Sequence, residues 1–415
     1  MQNKDRYTPT HEYIIKRWKD GLRTKSHPDY PLPYPFEPPW VDGAFKCMFY
    51  WDTFYTNRGM ILDGYTQYAK WNTDNLIYLL NEHGFVPNSN SYPGMKNSQP
   101  PYLQYMVRDV YEATNDDEWL KEAYVALKKE YDFWMSKRMT PIGLNQFLHN
   151  EKTDEDDIAF YDYVCTRIEQ LDKNAPRDVK IRVGRGYHAA GEAGLDFSPR
   201  FHFDGVDIVE VDLNAHLYAM EGYLAELADR FEPELKESFL SAQKKRKQLM
   251  DKYLLCEDGL YYDYNFNKKA IQQREFNFTG QFVPFIVGLS NDKEAAKKLL
   301  KEVEFSHGIA ATGPFSCGFD YQAAYPFSFP YDNALAFWAL TKLDLKEEYT
   351  RVGIKYLEMC ASSYEKDQQL WEAYDATKPG RAEKKEYPAT EMLGWTAGTY
   401  QWIYYYLFLN KKMDY

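Results

Sequence analysis

Two acidic residues in apolar and aromatic surroundings are the side chains of this sequence best suited to do chemistry. Asp196 stands between Leu195 and Phe197, and Glu372 follows Trp371 far downstream. Apolar surroundings favour the protonated form of a carboxyl group, which a general acid working near neutral pH needs. Glycoside hydrolysis uses two carboxyl groups on opposite sides of the scissile bond. The two residues therefore indicate that chemistry.

The composition supports a sugar ligand and argues against nucleic acid. The chain of 415 residues has 37 Tyr and 10 Trp, and aromatic residues make up 17% of it. Such side chains combine an apolar face with a hydrogen-bonding edge, which suits the faces and hydroxyl rims of sugars. The net charge is −12, and the short basic run at 244–247 reads as a solvated helix face. A nucleic-acid binder would instead show a dominant basic patch.

The cysteines and the N-terminus give expectations about cofactors and location. The five cysteines are scattered and form no Cys-x-x-Cys pair, so neither a disulfide framework nor a zinc site is expected, and no cofactor is expected. The first residues lack the apolar core of a signal peptide, and no long apolar stretch is present. We expect a cytoplasmic protein that binds a small carbohydrate and neither a membrane nor nucleic acid, with its oligomeric state open.

Helical periodicity dominates the chain. Leu213, Leu217, Met220, Leu224 and Leu227 form an apolar stripe that predicts a helix over 212–231. Pro233 opens a second helix that runs to about 254. Similar helices are predicted over 53–69, 72–83, 101–114, 117–138, 278–289, 292–303, 330–343, 346–363 and 391–409. Recurring helical hairpins predict an all-α toroid of about a dozen helices, with the functional loops at one end.

The rest of the chain is assigned to loops within one domain. No linker divides the sequence, so we predict a single domain over 1–415 in which residues 1–40 form an arm around the barrel. Residues 259–264 predict a short loop hairpin. The acidic run at 154–157 is expected to be a solvated loop.

Several blocks carry side chains suited to binding a sugar. In the first block Trp51 can stack on a sugar ring and Asp52 can accept hydroxyl hydrogen bonds, although Asp52 could equally be a helix N-cap. Amide side chains donate and accept together, which matches neighbouring hydroxyls. Arg200 and Glu386 could also bind the sugar. The alternative for Arg200 is a structural salt bridge, and the alternative for Glu386 is a structural role. The full set of expected binding residues is Phe45, Tyr50, Trp51, Asp52, Asn88, Gln99, Arg200, Gln322, Tyr325, Glu386 and Trp395.

In order and spacing these blocks resemble the trehalase family over about residues 40–410. The family segments Tyr-Trp-Asp, Gly-Phe-Ile-Pro-Asn-Gly-Asn, Ser-Gln-Pro-Pro and Glu-Ser-Gly-Trp-Asp-Phe-Ser-Ser-Arg-Trp look like residues 50–52, 84–90, 98–101 and 192–201. Its Glu-Lys-Tyr-Asp, Glu-Tyr-Pro and Gly-Trp-Thr-Asn-Gly segments look like 372–375, 386–388 and 394–398. The resemblance implies an (α/α)6 barrel that hydrolyses an α-glucoside such as trehalose with inversion, with Asp196 as general acid and Glu372 as general base.

The chain also departs from the family pattern. Two arginines of the family fall on Ala44 and Asn97, and the family's Gln-Trp-Asp becomes Gln322-Ala323-Ala324. The family's Arg-Pro-x-Glu segment, expected well before Asp196, is absent. Hydrolases of mannosylglycerate or glucosylglycerate and processing α-glucosidases, which share the barrel, are therefore alternatives.

Two further alternatives belong to other classes. One is a sugar-binding protein without catalysis, against which the retention of both carboxyl groups argues. The other is a nucleotide-using enzyme, because residues 179–186 resemble a strand that enters a glycine turn. The glycines of that segment do not continue as Gly-x-Gly-x-x-Gly, and no βαβ pattern surrounds them.

Overall fold

The computed structural model describes residues 4–26, 30–39, 46–91, 96–150, 153–383, 391 and 393–413. Fourteen α-helices lie in this part of the chain. They are α1 (Thr8–Gly21), α2 (Tyr50–Leu62), α3 (Thr66–His83), α4 (Leu103–Thr114), α5 (Asp117–Lys137), α6 (Asp154–Arg167), α7 (Arg177–Glu192), α8 (Val211–Phe231), α9 (Lys236–Tyr253), α10 (Val283–Ile286), α11 (Lys293–Val303), α12 (Pro330–Lys342), α13 (Lys346–Asp367) and α14 (Gly394–Leu409).

Short strands occur only in the loops of the described chain. Strands β1 (Ile208–Val209), β2 (Tyr264–Asn265) and β3 (Ala270–Ile271) form one antiparallel sheet in that order. Strand β4 (Phe327–Ser328) pairs antiparallel with β5 (Tyr374–Asp375), with Ser328 opposite Tyr374. The architecture is therefore all-α, as the periodicity predicts.

Twelve of the helices form two concentric rings. The inner helices are α2, α4, α8, α10, α12 and α14. Each of the first five is followed in sequence by its outer helix, and the outer helix that packs on α14 is α1. The ring closes where α14 packs along α2. This is the (α/α)6 barrel that the sequence predicts, with α6 and α7 as an additional hairpin between α5 and α8.

Burial of the side chains separates the two rings. Helix α2 buries every residue except Asp52 and Ile61, whereas α9 buries only Arg246 and Met250. A helix that is buried all round belongs inside a protein, and one with a narrow apolar face belongs at its surface. Close contact between α2 and α14 depends on Gly398, because a Cβ there would lie 2.0 Å from the Tyr55 carbonyl oxygen.

Helix α1 occupies the segment that the sequence assigns to an N-terminal arm. Its Ile14 and Trp18 are fully buried, and His11 stacks on Tyr404 of α14 at 4.2 Å between ring centroids. The single domain with an arm stays a prediction. None of the helices in the described residues is long and apolar enough to cross a membrane.

Two segments that the sequence assigns to loops or strands are helical. The acidic run at 154–157 is the first turn of α6, where Thr153 and Asp156 form a capping box and Asp157 is buried. Negative charge near a helix N-terminus is favourable, so a run of acids can begin a helix. Residues 179–186 lie inside α7, so the strand required by the nucleotide interpretation does not exist.

Other boundaries differ from the predicted ones by a turn. A break at 63–65 separates α2 from α3, with Gly64 at φ +86°. The predicted helix over 278–289 is a 3₁₀ turn (Thr279–Phe282) followed by the single turn of α10. A hairpin is present near the expected 259–264, because Leu255 pairs antiparallel with Tyr261, and a second hairpin follows where β2 pairs with β3.

One buried carboxylate ties three segments of the barrel end together. The Glu192 side chain, at the end of α7, accepts hydrogen bonds from Arg138 Nε and Nη2, both at 2.7 Å. It also accepts from the backbone N–H groups of Ser98 at 3.0 Å and Leu148 at 2.7 Å. Both charged side chains are almost completely buried. This pair therefore fixes the loop around Ser98 against the segment that leads to Asp196.

We expect Glu192→Gln to lower the free energy of unfolding by about 3–5 kcal/mol, because it leaves the Arg138 charge buried without its partner. Urea denaturation at pH 7 measures this. The matched control is Glu155→Gln, which removes an exposed ion pair with Arg177 and should cost under about 1 kcal/mol. Equal losses in the two variants would contradict the assignment.

Candidate active site

A cavity of about 170 Å³ opens at one end of the barrel. Its lining includes Trp51 from the start of α2, Tyr331 from the start of α12 and Trp395 from the start of α14. Three inner helices therefore begin at this cavity, and the loops that precede them form its walls.

The cavity brings together most of the residues that the sequence singles out. Residues from seven separate stretches of the chain meet here, and they include three carboxyl groups, three amides and two indole rings. These lining residues are Trp51, Asp52, Asn88, Gln99, Asp196, Gln322, Glu372 and Trp395.

Glu372 is held by the backbone on both sides of it. The Trp371 carbonyl accepts a hydrogen bond from Thr396 Oγ1 at 2.9 Å, and the Trp371 N–H donates to Tyr374 Oη at 3.1 Å. Beyond Glu372, β5 pairs with β4. The Glu372 side chain is 6% exposed. These contacts fix a buried carboxyl group at the cavity wall.

Asp196 faces the cavity from the loop after α7. Its side chain is 45% exposed, so the carboxyl group is not enclosed by Leu195 and Phe197 as the sequence suggests. Phe197 turns inward and is fully buried. Arg167 Nη1, at the end of α6, lies 3.6 Å from Asp196 Oδ2. The carboxyl group thus has a cationic neighbour on one side and the cavity on the other.

An aromatic wall surrounds Trp51. Its ring lies 4.7 Å from the ring of Tyr331 and 6.1 Å, edge to face, from that of Trp395. The Trp51 backbone N–H donates to Gln99 Oε1 at 3.0 Å, which joins the first two sequence blocks. Gly194 approaches the indole so closely that a Cβ there would lie 2.7 Å from it. The Asp196 loop therefore packs directly on Trp51.

Asp52 carries a shifted protonation equilibrium. Loss of hydration raises the pKa of its carboxyl group to about 7, the charge of Glu372 adds to the rise, and a backbone hydrogen bond opposes it. Asp52 lies in the first turn of α2, whose N-cap is Phe49, so Asp52 is not the N-cap. Its carboxyl group is available to the cavity.

Tyr50 and Arg200 are not placed where a sugar could reach them. Tyr50 is fully buried, and its hydroxyl donates to Glu130 Oε1 at 2.5 Å. Arg200 is also buried, with its guanidinium bound by Asp212 at 2.7 Å and by Asp263 at 2.6 Å. Arg200 therefore forms the salt bridge that the sequence offers as its alternative role, with two carboxylates on its donors.

The remaining predicted residues lie elsewhere. Tyr325 lines a second, neighbouring cavity, not the one that holds Asp196 and Glu372. Phe45 and Glu386 lie outside the described residues.

Sequence reasoning missed Arg167 and the aromatic residues Phe329 and Tyr331. The two aromatics flank Pro330, a few residues after Tyr325 in the same aromatic stretch, so their residue types are a signal that could have found them. Arg167 had no such signal, because it follows no motif of the resemblance. It comes from α6, which the sequence did not predict as a helix.

A double ring of helices with a cavity of carboxyl, amide and indole groups at one end is the architecture of an (α/α)6-barrel glycoside hydrolase. The family model described as "Trehalase" matches residues 4–406. The chain belongs to the trehalase family and is a glycoside hydrolase.

Relatives support this at low sequence identity. The periplasmic trehalase of Xanthomonas oryzae pv. oryzae is 24% identical over 94% of this chain and 72% of its own length. The structure of neutral trehalase from Saccharomyces cerevisiae has a TM-score of 0.75 and 22% identity, and the match covers 96% of this chain and 80% of that one. A mannosylglycerate hydrolase from Thermus thermophilus has a TM-score of 0.59 at 15% identity, with 96% and 100% coverage.

The comparison also corrects the expected location. Several bacterial relatives are named periplasmic trehalases, so the expectation of a cytoplasmic protein is wrong. The matched regions cover 54% to 72% of those relatives' lengths.

We expect Gly194→Ala to lower stability by about 1–3 kcal/mol, because φ is +72° and the new Cβ meets the Trp51 ring. The variant should also displace the Trp51 indole from the cavity wall and raise KM for an α-glucoside substrate. Thermal melts and steady-state kinetics measure the two effects. Gly64→Ala is the control, since its φ is +86° with open space around it, so it should lower stability without changing KM. A normal KM in Gly194→Ala would contradict the packing.

We expect Asp52→Asn to stabilise the protein increasingly as pH rises. A raised folded-state pKa gives stability that is present below the unfolded pKa near 4 and lost as pH rises through about 7. The amide does not titrate. The free energy of unfolding of the variant, relative to that of wild type, should therefore rise by roughly 1–4 kcal/mol between pH 4 and 8, because each unit of pKa shift corresponds to about 1.4 kcal/mol. Urea titrations at several pH values measure this, with exposed Asp132→Asn as control. A pH-independent difference would contradict it.

Proposed function

We propose that this chain hydrolyses the α-glycosidic bond of a small glucoside with inversion, and that trehalose is the first substrate to test. In this proposal Asp196 is the general acid and Glu372 is the general base. The observation that carries it is that both carboxyl groups, which are 176 residues apart in sequence by their numbers, line one cavity with two tryptophans.

The proposed reaction uses the two carboxyl groups in one step. Protonated Asp196 gives its proton to the glycosidic oxygen as the bond from that oxygen to the anomeric carbon breaks. Ionised Glu372 takes a proton from a water molecule that attacks the anomeric carbon from the opposite face. An inverting pair needs a separation of roughly 6.5–9.5 Å to hold that water. Each positioned proton transfer is typically worth about 10²–10⁴-fold in rate.

The other lining residues would hold the sugar. Trp51 and Trp395 offer aromatic faces, and Asp52 and Asn88 offer groups that bond hydroxyls. Gln322 Oε1 and Trp395 Nε1 are buried with no hydrogen-bond partner among the described residues. An unsatisfied buried polar atom is costly, so a bound sugar that supplied a donor and an acceptor would be favoured.

Two other functions share this site. A hydrolase of mannosylglycerate or glucosylglycerate would use the same pair of carboxyl groups, and the Thermus thermophilus relative has the same fold. A sugar-binding protein without catalysis would keep the aromatic wall and would have no use for Asp196 and Glu372.

The names of the bacterial relatives favour a periplasmic location for this protein, where it would meet its substrate.

We expect Asp196→Asn and Glu372→Gln each to lower kcat on trehalose by at least about 10³-fold while the protein stays folded, because each variant loses a proton-transfer group. Steady-state assays and circular dichroism measure this, with exposed Glu365→Gln as the control variant. Proton NMR should show one β-glucose released with each α-glucose before mutarotation. Near-normal rates in either variant would overturn the assignment, and no turnover of any α-glucoside or glycosylglycerate by wild type would favour the binding protein.

A further inference from the structure

A second cavity adjoins the catalytic one, and the side chain of Gln322 lines both. Its volume is about 340 Å³, twice the 170 Å³ of the catalytic cavity. We infer that this second cavity binds the part of the leaving group beyond its first sugar unit, and that the preferred substrate is a neutral α-glucoside whose leaving group is longer than one sugar unit. The inference rests on the proposed function, since it takes Asp196 as the general acid.

The position of Asp196 relates the two cavities. A general acid protonates the oxygen that joins the cleaved sugar to its leaving group, so the leaving group lies beside the acid. Arg167, which lies 3.6 Å from the Asp196 carboxyl group, lines the second cavity. A leaving group that extends past Asp196 would therefore enter this second cavity.

The sequence is unusual where the two cavities meet. Gln322-Ala323-Ala324 stands where the family signature has Gln-Trp-Asp. Ala323 lines the catalytic cavity and Ala324 lines the second one. Two methyl groups in place of an indole and a carboxylate leave open space at the junction. This chain thus departs from its family at the point where a longer leaving group would need room.

The walls of the second cavity suit neutral sugars. Rings of Phe315, Phe319 and Tyr325 line it. A neighbouring ring packs against each of them, at 4.7 Å for Phe315, 5.5 Å for Phe319 and 4.9 Å for Tyr325 between ring centroids. Such rings stack on the apolar faces of sugars.

The charges of this cavity disfavour an anionic leaving group. Arg167 lies against Asp196, and the other charged residues that line the cavity within the described part of the chain are the acids Glu169, Asp320 and Glu383. A carboxylate such as that of glycerate would meet this acidic surplus, and like charges in close proximity repel. The cavity therefore selects against glycosylglycerates.

The test compares substrates that share a scissile bond and differ in length. One pair is trehalose and trehalose extended by one α-1,4-glucosyl unit, and the other is maltose and maltotriose. We expect kcat/KM to be at least about tenfold higher for the longer member of at least one pair.

Two variants test whether the second cavity causes this preference. Ala324→Phe fills the second cavity, and Phe319→Ala removes one of its rings. Each should bring that ratio close to one, because each removes the added contacts that only the longer sugar makes. Phe239→Ala, on α9 at the outside of the barrel, is the matched aromatic control and should leave the ratio unchanged.

Binding separates this inference from the proposed function. Titration calorimetry with the same sugars and Asp196→Asn should show the longer sugar bound more tightly, and adding Ala324→Phe should abolish that advantage. If wild type turns over both members of each pair equally, the proposed function stands, and the inferred preference for a longer leaving group is wrong. If nothing is turned over while the calorimetric difference persists, the second cavity binds sugar and the proposed catalysis is wrong. A preference for mannosylglycerate over all neutral sugars would contradict the inference that the leaving group is neutral.

Discussion

The buried pair of Arg138 and Glu192 is the contact on which the geometry of the cavity depends. Four donors converge on one carboxylate, two from the guanidinium and two from the backbone at Ser98 and Leu148. Removing two charges from water is costly, so such a pair adds little net stability compared with apolar packing. Its effect is to penalise every arrangement that separates the partners. The loop with Gln99 and the loop with Asp196 therefore have one relative position.

Similar buried arginines recur behind the cavity. Arg200 joins Asp212 to Asp263, and Arg58 pairs with Asp109 in the core of the barrel. A planar guanidinium can bind two carboxylates at fixed angles, which a lysine cannot do. Arginine thus serves here to hold helices and loops against one another, and the surface of the cavity is left mainly to amides, carboxyl groups and aromatic rings.

The sequence predicts this molecule best where periodicity or chemical type is decisive. Helices such as α8 follow directly from an apolar stripe, and Trp51 and Glu372 stand out because of their aromatic neighbours. Asp196 also lies at the cavity, although its carboxyl group is not enclosed by its apolar neighbours. It predicts poorly where a contact distant in sequence decides. The acidic residues that begin α6 look solvated until Arg185 of α7 is seen to pair with Asp157. Arg200 looks available to a ligand until two carboxylates from later segments are seen to occupy it, and Arg167 reaches Asp196 only because α6 folds back.

The closure of α14 on α2 has a consequence for how the protein is made. Trp51 and Trp395 touch in the cavity although one is near the beginning of the chain and the other near its end. During synthesis α2 emerges early and can pack on α3 and α4, but its face against α14 stays uncovered until α14 follows. The barrel cannot be completed in stages from the N-terminus, since its last inner helix is also the partner of its first. That apolar face of α2 therefore stays exposed for most of translation, and transiently exposed apolar surface is the reason that chaperones exist.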